Sequence, residues 1–269
     1  MLFRFAKLPQ YHAPLSNSPV LGRVRIHLSE VTSTNNYARQ LLQDSLPVEG
    51  TLITASNQTT GRGQRQHQWE SAPNQNITAS YILRPVFLAA ERQFMLSAAV
   101  ALGVHDTASR FCNHTQVQVR IKWPNDLLVG TQKIAGILIE NTLRGKSIDA
   151  SIVGIGLNVN QSNFPADLKA TSLAQIVGKN FVLDEVLSEL NRNLDLRYSQ
   201  LKAMGFERLM EHYNALLFCR GERVLLHVNG IQELVKVLGA QNSGLLNLLH
   251  ADGRVTEHAH HEIGWEAVR

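Results

Sequence analysis

Lys122-Trp123-Pro124-Asn125-Asp126, followed after a short gap by Lys133-Ile134-Ala135-Gly136-Ile137-Leu138, is the stretch on which the reading of this chain turns. Residues 117–123 alternate apolar and polar side chains, the period of a half-buried strand. Pro124 cannot donate to a sheet ladder, so the strand is expected to end there. Asn125 and Asp126 suit a turn, because their side chains bond local backbone. Leu127-Leu128-Val129, Gly130-Thr131-Gln132 and residues 134–139 then read as a hairpin returning along the first strand. That arrangement points the Lys122 and Lys133 ammonium groups at one site beside the Asp126 carboxylate.

The flanking segments set the fold class. Residues 23–31, 51–56, 76–83 and 150–158 read as strands. Ser33 or Thr34 caps a helix through Tyr37, Ala38, Leu41 and Leu42, and residues 91–111, 184–204 and 206–217 carry helical spacing. Residues 58–68 are polar, contain glycine and lack apolar anchors, so they read as a mobile loop. Residues 1–22, with prolines at 9, 14 and 19, read as a loosely structured lead-in. Beyond residue 222 come short alternating segments separated by Asn229-Gly230, Ser243-Gly244 and Asp252-Gly253, strong hairpin cues. The expectation is an α+β chain: a larger domain over 1–217 and a small β-barrel-like domain over 218–269 that leans on it.

At 269 residues, 44% hydrophobic and 18% charged, the chain suits an ordinary globular protein. Its formal charge of +4 agrees with anionic ligands, but no dense Lys/Arg block marks a nucleic-acid surface. Cys112 and Cys219 lie far apart, form no metal-ligand spacing and require no oxidising compartment; they read as buried thiols. Glu257-His258-Ala259-His260-His261-Glu262 reads as a solvated edge of the small domain rather than a metal site. No apolar run reaches the length of a membrane span and no signal-peptide pattern opens the chain. A cytoplasmic protein with neither nucleic-acid nor membrane partners is expected, monomeric or homodimeric.

The lysine-bearing pattern resembles the central motif of biotin–protein ligases. Three further segments resemble the same family, in the expected order: Ser33-Thr34-Asn35, the loop from Gln58 through Gly61-Arg62-Gly63-Gln64 to Trp69, and Gly154-Ile155-Gly156-Leu157-Asn158. The resemblance covers about residues 27 to 267. It implies an antiparallel sheet related to class II aminoacyl-tRNA synthetases, with a C-terminal SH3-like domain. It implies that MgATP and biotin give biotinyl-5′-adenylate, which is passed to a lysine of a biotin carboxyl carrier domain. Ser33, Thr34, Asn35 and Gln58 would bond the ureido ring, whose two N–H donors and one carbonyl need uncharged partners. Lys133 would reach the biotin carboxylate and the phosphate. Arg62 supplies a fork of donors, with Lys122 in support, because a carboxylate attacking a phosphate brings two anions together. Gly61 and Gly63 permit positive φ and close approach to a phosphate. Asn125, Gly136 and Asn158 fall at motif positions, with Asn158 facing the nucleotide. Asp126 either orients a lysine or holds a metal-bound water, or makes a simple Asx turn. Trp69 is read as a ligand-side aromatic and Trp123 as core.

Three departures qualify the resemblance. No helix-turn-helix domain like that of bifunctional members is expected before residue 27. Pro73-Asn74-Gln75-Asn76 lacks a glycine that the family commonly has. The loop, usually Gly-Arg-Gly-Arg-x-Gly-Arg-x-Trp, carries Gln64, Gln66 and His67 instead, so one clamping charge is lost or supplied by Arg65. A leakier hold on the adenylate follows as a hypothesis. Two other readings stay open: a lipoate or octanoyl ligase, against which the polar set Ser33, Asn35 and Gln58 argues, and a non-catalytic biotin sensor.

Overall fold

The computed structural model describes residues 10–12, 20–64, 68–203 and 206–265. Eight strands form its main sheet: β1 (Gln10–His12), β2 (Arg25–Val31), β3 (Thr51–Gln58), β4 (Ile77–Leu83), β5 (Val119–Lys122), β6 (Asp126–Val129), β7 (Gln132–Arg144) and β8 (Ser147–Leu157). Their order is β1-β2-β3-β4-β8-β7-β6-β5. Among these described strands only β2 and β3 run parallel, joined by the crossover helix that parallel strands require, α1 (Thr34–Asp44). The mixed, largely antiparallel sheet expected from the α+β reading is present.

Two expectations need correction. The central motif makes two successive hairpins, not one. β5 turns through the cis Trp123–Pro124 peptide into β6, and β6 turns at Gly130 (φ 59) into β7. β6 has a ladder of its own on each edge, so β7 never touches β5. The lead-in also contains structure: residues 10–12 pair antiparallel with β2, and Leu21 is buried. Its remaining residues, 1–9 and 13–19, lie outside the described residues.

Helices cover both faces. α1 seats Ala38 on Ile53, Ile82 and Ile152. The other face carries α2 (Phe94–Cys112), α4 (Leu183–Ala203) and α5 (Phe206–Ala215), with the short α3 (Leu173–Val177) beside α2. Gly103 lets α4 come close to α2: a Cβ there would lie 2.9 Å from Leu194 Cδ2. Thirteen residues of α2 are buried, so it is a core helix with no broad polar face. Each large aliphatic side chain buried here contributes about 1.5–3 kcal/mol.

The C-terminal region is a second antiparallel sheet, β12-β11-β10-β9-β13, made of β9 (Arg223–Val228), β10 (Ile231–Ala240), β11 (Leu246–Leu249), β12 (Val255–His258) and β13 (Ile263–Gly264), consistent with an SH3-like domain. Asn229 and Gly230 both take positive φ (50 and 81), as the predicted two-residue hairpin demands. Inward residues such as Leu226, Val237 and Leu248 join the core of the larger unit. Asn214 Nδ2 donates to Ala240 O at 2.9 Å and Ala240 N donates to Asn214 Oδ1 at 2.7 Å across the junction. The histidine run lies at the edge of the small sheet, since β12 is an outermost strand and Glu257 and His261 are exposed, but the run is not solvated throughout. β12 ends at His258, which is buried with Nε2 2.6 Å from Thr256 Oγ1, and a 3-10 turn over His260–Glu262 folds inward.

Candidate active site

The missing side chains of β7 and β8 make the site. Gly136 lies opposite Gly156 and Leu138 opposite Gly154, and β4 extends the second row with Ser80. The three glycines and Leu138 floor a trough of about 420 Å³, with Ser80 buried beside it. Trp69 lies over the first row: a Cβ on residue 156 would fall 2.5 Å from its Cζ2, and one on residue 136 would fall 3.1 Å from its Cζ3. Asn35 fills the space over Gly154, where a Cβ would come within 2.9 Å of its Cγ. The strand glycines thus admit the chain's own Trp69 and Asn35.

At one end sits an uncharged polar set. Ser33 is the N-cap residue of α1, yet its hydroxyl makes no capping bond, and it lines the trough. Gln58 takes the capping role: its Oε1 accepts from Thr34 N at 2.8 Å and from Thr34 Oγ1 at 3.1 Å. The buried Ser80 hydroxyl lies 2.7 Å from Thr34 Oγ1 and 2.6 Å from Asn35 Oδ1. Asn35 Nδ2 donates to Glu140 Oε2 at 2.9 Å. Glu140 also pairs with Arg39 and, at 3.0 Å, with Arg62, whose Nη1 donates to Asn36 Oδ1 at 3.1 Å. Sequence reasoning missed Ser80, Arg39 and Glu140. The period of two that puts Gly136 on the trough side puts Glu140 there too, whereas Ser80 depends on a strand register the sequence does not display.

The other end is cationic. Lys133 Nζ pairs with Asp126 Oδ1 at 2.7 Å and lies 5.6 Å from the Trp69 ring centroid. A register shift at Leu127/Leu128 in the β6–β7 ladder sets this pairing. Lys122, Arg62, Gly63 and Gln64 line the same trough. Neighbouring backbone pins Lys133: its N donates to Lys169 O at 2.8 Å, and its O accepts from Thr171 N at 3.0 Å. Asn125 borders the trough, but its buried amide is committed to Ile137 O.

Two site expectations change. Asn158 is not among the residues that line the trough; β8 ends at Leu157, and Asn158 turns behind Lys133 with Nδ2 donating to Thr171 O at 3.0 Å. Gly61 does not take positive φ; it is small because the Trp69 carbonyl packs where its Cβ would be. Asn74, at φ 58, takes the left-handed backbone in the segment that lacks the family's glycine. Arg65, Gln66 and His67 lie outside the described residues.

The small sheet closes the trough with His260, Ile263 and Trp265, all missed because only the tertiary junction brings them there. Trp123 is buried, as read: its Nε1 donates to Gly244 O at 3.0 Å, and His260 meets its ring edge-on at 5.4 Å. Tyr213 donates its hydroxyl to Pro124 O at 2.9 Å. Burial, with the Asp126 charge adding, pushes this phenol well above its usual range, so it stays a donor. Burial likewise pushes the Cys112 and Cys219 thiols up to about 11, which makes them poor nucleophiles; Cys219 is only half-buried. Among the described residues no cluster of His, Cys, Asp or Glu could hold a metal ion. Trp69 Nε1 and Asn158 Oδ1 are buried polar atoms without a partner, an uncommon state in folded proteins.

Residues 28–158 match the model of the biotin/lipoate A/B protein ligase family. The bifunctional ligase/repressor BirA of Bacillus subtilis is 32% identical over 241 residues, covering 87% of this chain and 72% of the relative. A biotin–[acetyl-CoA-carboxylase] ligase of Mycobacterium tuberculosis is 28% identical over 210 residues, covering 78% of this chain and 77% of its own length. The biotin protein ligase from Aquifex aeolicus in complex with biotin and ATP superposes with a TM-score of 0.73 at 28% identity, covering 89% of this chain and 97% of that one. The chain belongs to the biotin/lipoate A/B protein ligase family, on its biotin–protein ligase side.

Proposed function

We propose that this ligase joins biotin to ATP in the glycine-floored trough and passes the biotinyl group to a lysine of a biotin carboxyl carrier domain. The observation that carries the reading is the pairing of two unlike ends over one floor. An uncharged set (Ser33, Thr34, Asn35, Gln58) lies at one end and Lys133, fixed by Asp126, at the other. Hydroxyls and amides suit a ureido ring, which offers donors and an acceptor but no charge. A lipoyl chain would call for an apolar slot there.

The biotin carboxylate would attack the α-phosphorus of ATP, forming the mixed anhydride and releasing pyrophosphate. The chain's part is positioning and charge. Lys133 would hold the carboxylate and phosphate together, Asp126 keeping its ammonium aimed. Arg62 would leave Glu140 for the phosphate, with Lys122, Gly63 and Gln64 bordering it, and Trp69 would cover the intermediate and exclude water. Magnesium would arrive with the nucleotide, bound mainly by its phosphates. The carrier lysine would then attack the acyl carbon and expel AMP. We assign residues 1–217 to the catalytic unit and 218–269 to the small one, and place the enzyme in the cytoplasm as a monomer or homodimer.

Transfer of radiolabelled biotin to a purified carboxyl carrier domain, with MgATP, tests this in parallel with a lipoate-accepting domain. Label on the first alone is expected. Tight biotin binding without transfer to either would replace the ligase reading with a sensor.

A further inference from the structure

We propose that Arg39 is a positioning residue for nucleotide binding: it is a standing counter-ion for Glu140, so that Arg62 can leave for a phosphate without stranding a carboxylate. The inference deepens the reading of Arg62 as a phosphate contact and rests on it.

Two guanidinium groups converge on the same two oxygens. Arg39 pairs with Glu140 Oε1, and its Nη1 donates to Asn36 Oδ1 at 3.3 Å. Arg62 Nη1 lies 3.0 Å from the same Glu140 oxygen and donates to the same Asn36 oxygen at 3.1 Å. The other carboxylate oxygen accepts from Asn35 Nδ2 at 2.9 Å and lies 3.3 Å from Arg62 Nη1. One carboxylate therefore faces two cations, and each cation weakens the hold of the other by like-charge repulsion.

The two arginines are not equally placed. Arg39 stands on α1, one turn beyond Asn36 on the same helix face, and is not among the residues that line the trough. Arg62 does line it. The backbone of Arg62 is held by an antiparallel bridge to Gln68, and Trp69 N donates to Gly61 O at 3.0 Å beside it. Only the side chain has to swing. When it does, Glu140 and Asn36 both keep Arg39.

Without Arg39, both ends of this exchange turn unfavourable. The unliganded chain holds Arg62 more tightly, because the competing cation is gone. The nucleotide complex leaves Glu140, whose side chain is only 24% exposed, without a counter-ion. Both changes oppose binding. The Arg39 and Arg62 side chains are 43% and 38% exposed, so solvent screening limits the effect to roughly two- to fivefold.

The test is calorimetric binding of the magnesium complex of adenosine 5′-(α,β-methylene)triphosphate to the full chain saturated with biotin. The methylene bridge keeps pyrophosphate from leaving, so affinity is read without turnover. R39Q should bind the analogue roughly two- to fivefold more weakly than the parent. Glutamine keeps a good helix former at a part-exposed position, so the variant should fold. R62A should weaken the analogue roughly tenfold to a hundredfold. The double variant R39Q/R62A supplies a readout that a merely structural role would not move. With Arg62 gone there is no cation to release, so the double variant should bind as R62A does. Damage to α1, or the plain loss of a positive charge near an anion, would lower affinity by the same factor in both backgrounds. Affinity in R39Q at or above the parental value, or an equal loss in the R62A background, would overturn the proposal. Parental affinity in R62A, or a parent chain that does not bind the analogue, would instead overturn the reading of Arg62 at a nucleotide phosphate, and the proposal with it.

Discussion

Replacing Gly156 with alanine puts a methyl group where the Trp69 indole lies. The new Cβ would overlap Cε2 and sit 2.5 Å from Cζ2 and 2.6 Å from Nε1, while ordinary contact begins at 3.4 Å, so the ring must retreat by more than about 0.9 Å. Two elements could yield. β8 is held on both edges, by β4 and β7, whereas Trp69 is half-exposed beside the loop. The indole therefore lifts and the strand stays. Overpacking of a rigid core costs about 1–3 kcal/mol, but a ring that can lift relieves most of it, and the melting temperature should fall by only a few degrees. The cost appears in ligand affinity instead. Losing stacking and a well-placed indole N–H is worth about 1–2 kcal/mol, or roughly five- to thirtyfold. Steady-state pyrophosphate release gives KM for biotin, and tryptophan fluorescence reports the displaced ring. Parental KM and an unchanged emission spectrum in G156A would refute the claim that the bare floor exists to seat Trp69.

Lys133→Ala should slow adenylate formation by roughly a hundredfold to a thousandfold, the usual loss when one charge-stabilising donor is removed; an unaltered single-turnover rate would remove Lys133 from the chemistry. Gln64→Arg should slow release of biotinyl-adenylate by roughly tenfold to a hundredfold by restoring a charge-assisted bond. Unchanged off-rates in a rapid-dilution assay would mean that Gln64 is not the weak point of the loop. For Asp106, burial opposes ionisation, yet hydrogen bonds from His105 and Arg197 outweigh it and hold the carboxyl below its usual range. Stability from this α2–α4 contact is present above the unfolded carboxyl's pKa and is lost as pH falls through the folded one. Denaturant titration should find Asp106→Asn about 1–2 kcal/mol less stable at pH 7, the gap narrowing below about pH 4; a gap that does not narrow with acid would sink the linkage.

What the sequence displays and what it hides divide along physical lines. The Lys133–Asp126 pair is legible because both partners belong to one meander, where a few residues of turn chemistry place them. The strand character of β8 is legible, but its last residue is not. Asn158 falls two positions after Gly156, on the trough side by strict alternation, yet the strand stops one residue earlier and the side chain leaves with the backbone. Ser80 reaches Asn35 only because β4 and β8 pair in one register among several that their apolar patterns would allow. His260 and Trp265 arrive from another sheet, and no local pattern records that junction. Glu257 and His261 are exposed, as the polarity of the histidine run suggests, whereas the burial of His258 is not recorded in so short a window.

The chain does not pass from the larger unit to the smaller through a slack tether. Ile121 N donates to Leu216 O at 2.9 Å and its own carbonyl accepts from Phe218 N at 2.8 Å, so the connecting segment lies along the free edge of β5 as one more rung. Domains joined by pliant linkers rotate against each other by default; here the linker is stitched to the very strand that ends in Lys122. Any protein that grips the small sheet therefore pulls directly on the turn carrying Asp126, and a docked carrier would be felt at the lysine as a mechanical load rather than as a distant event.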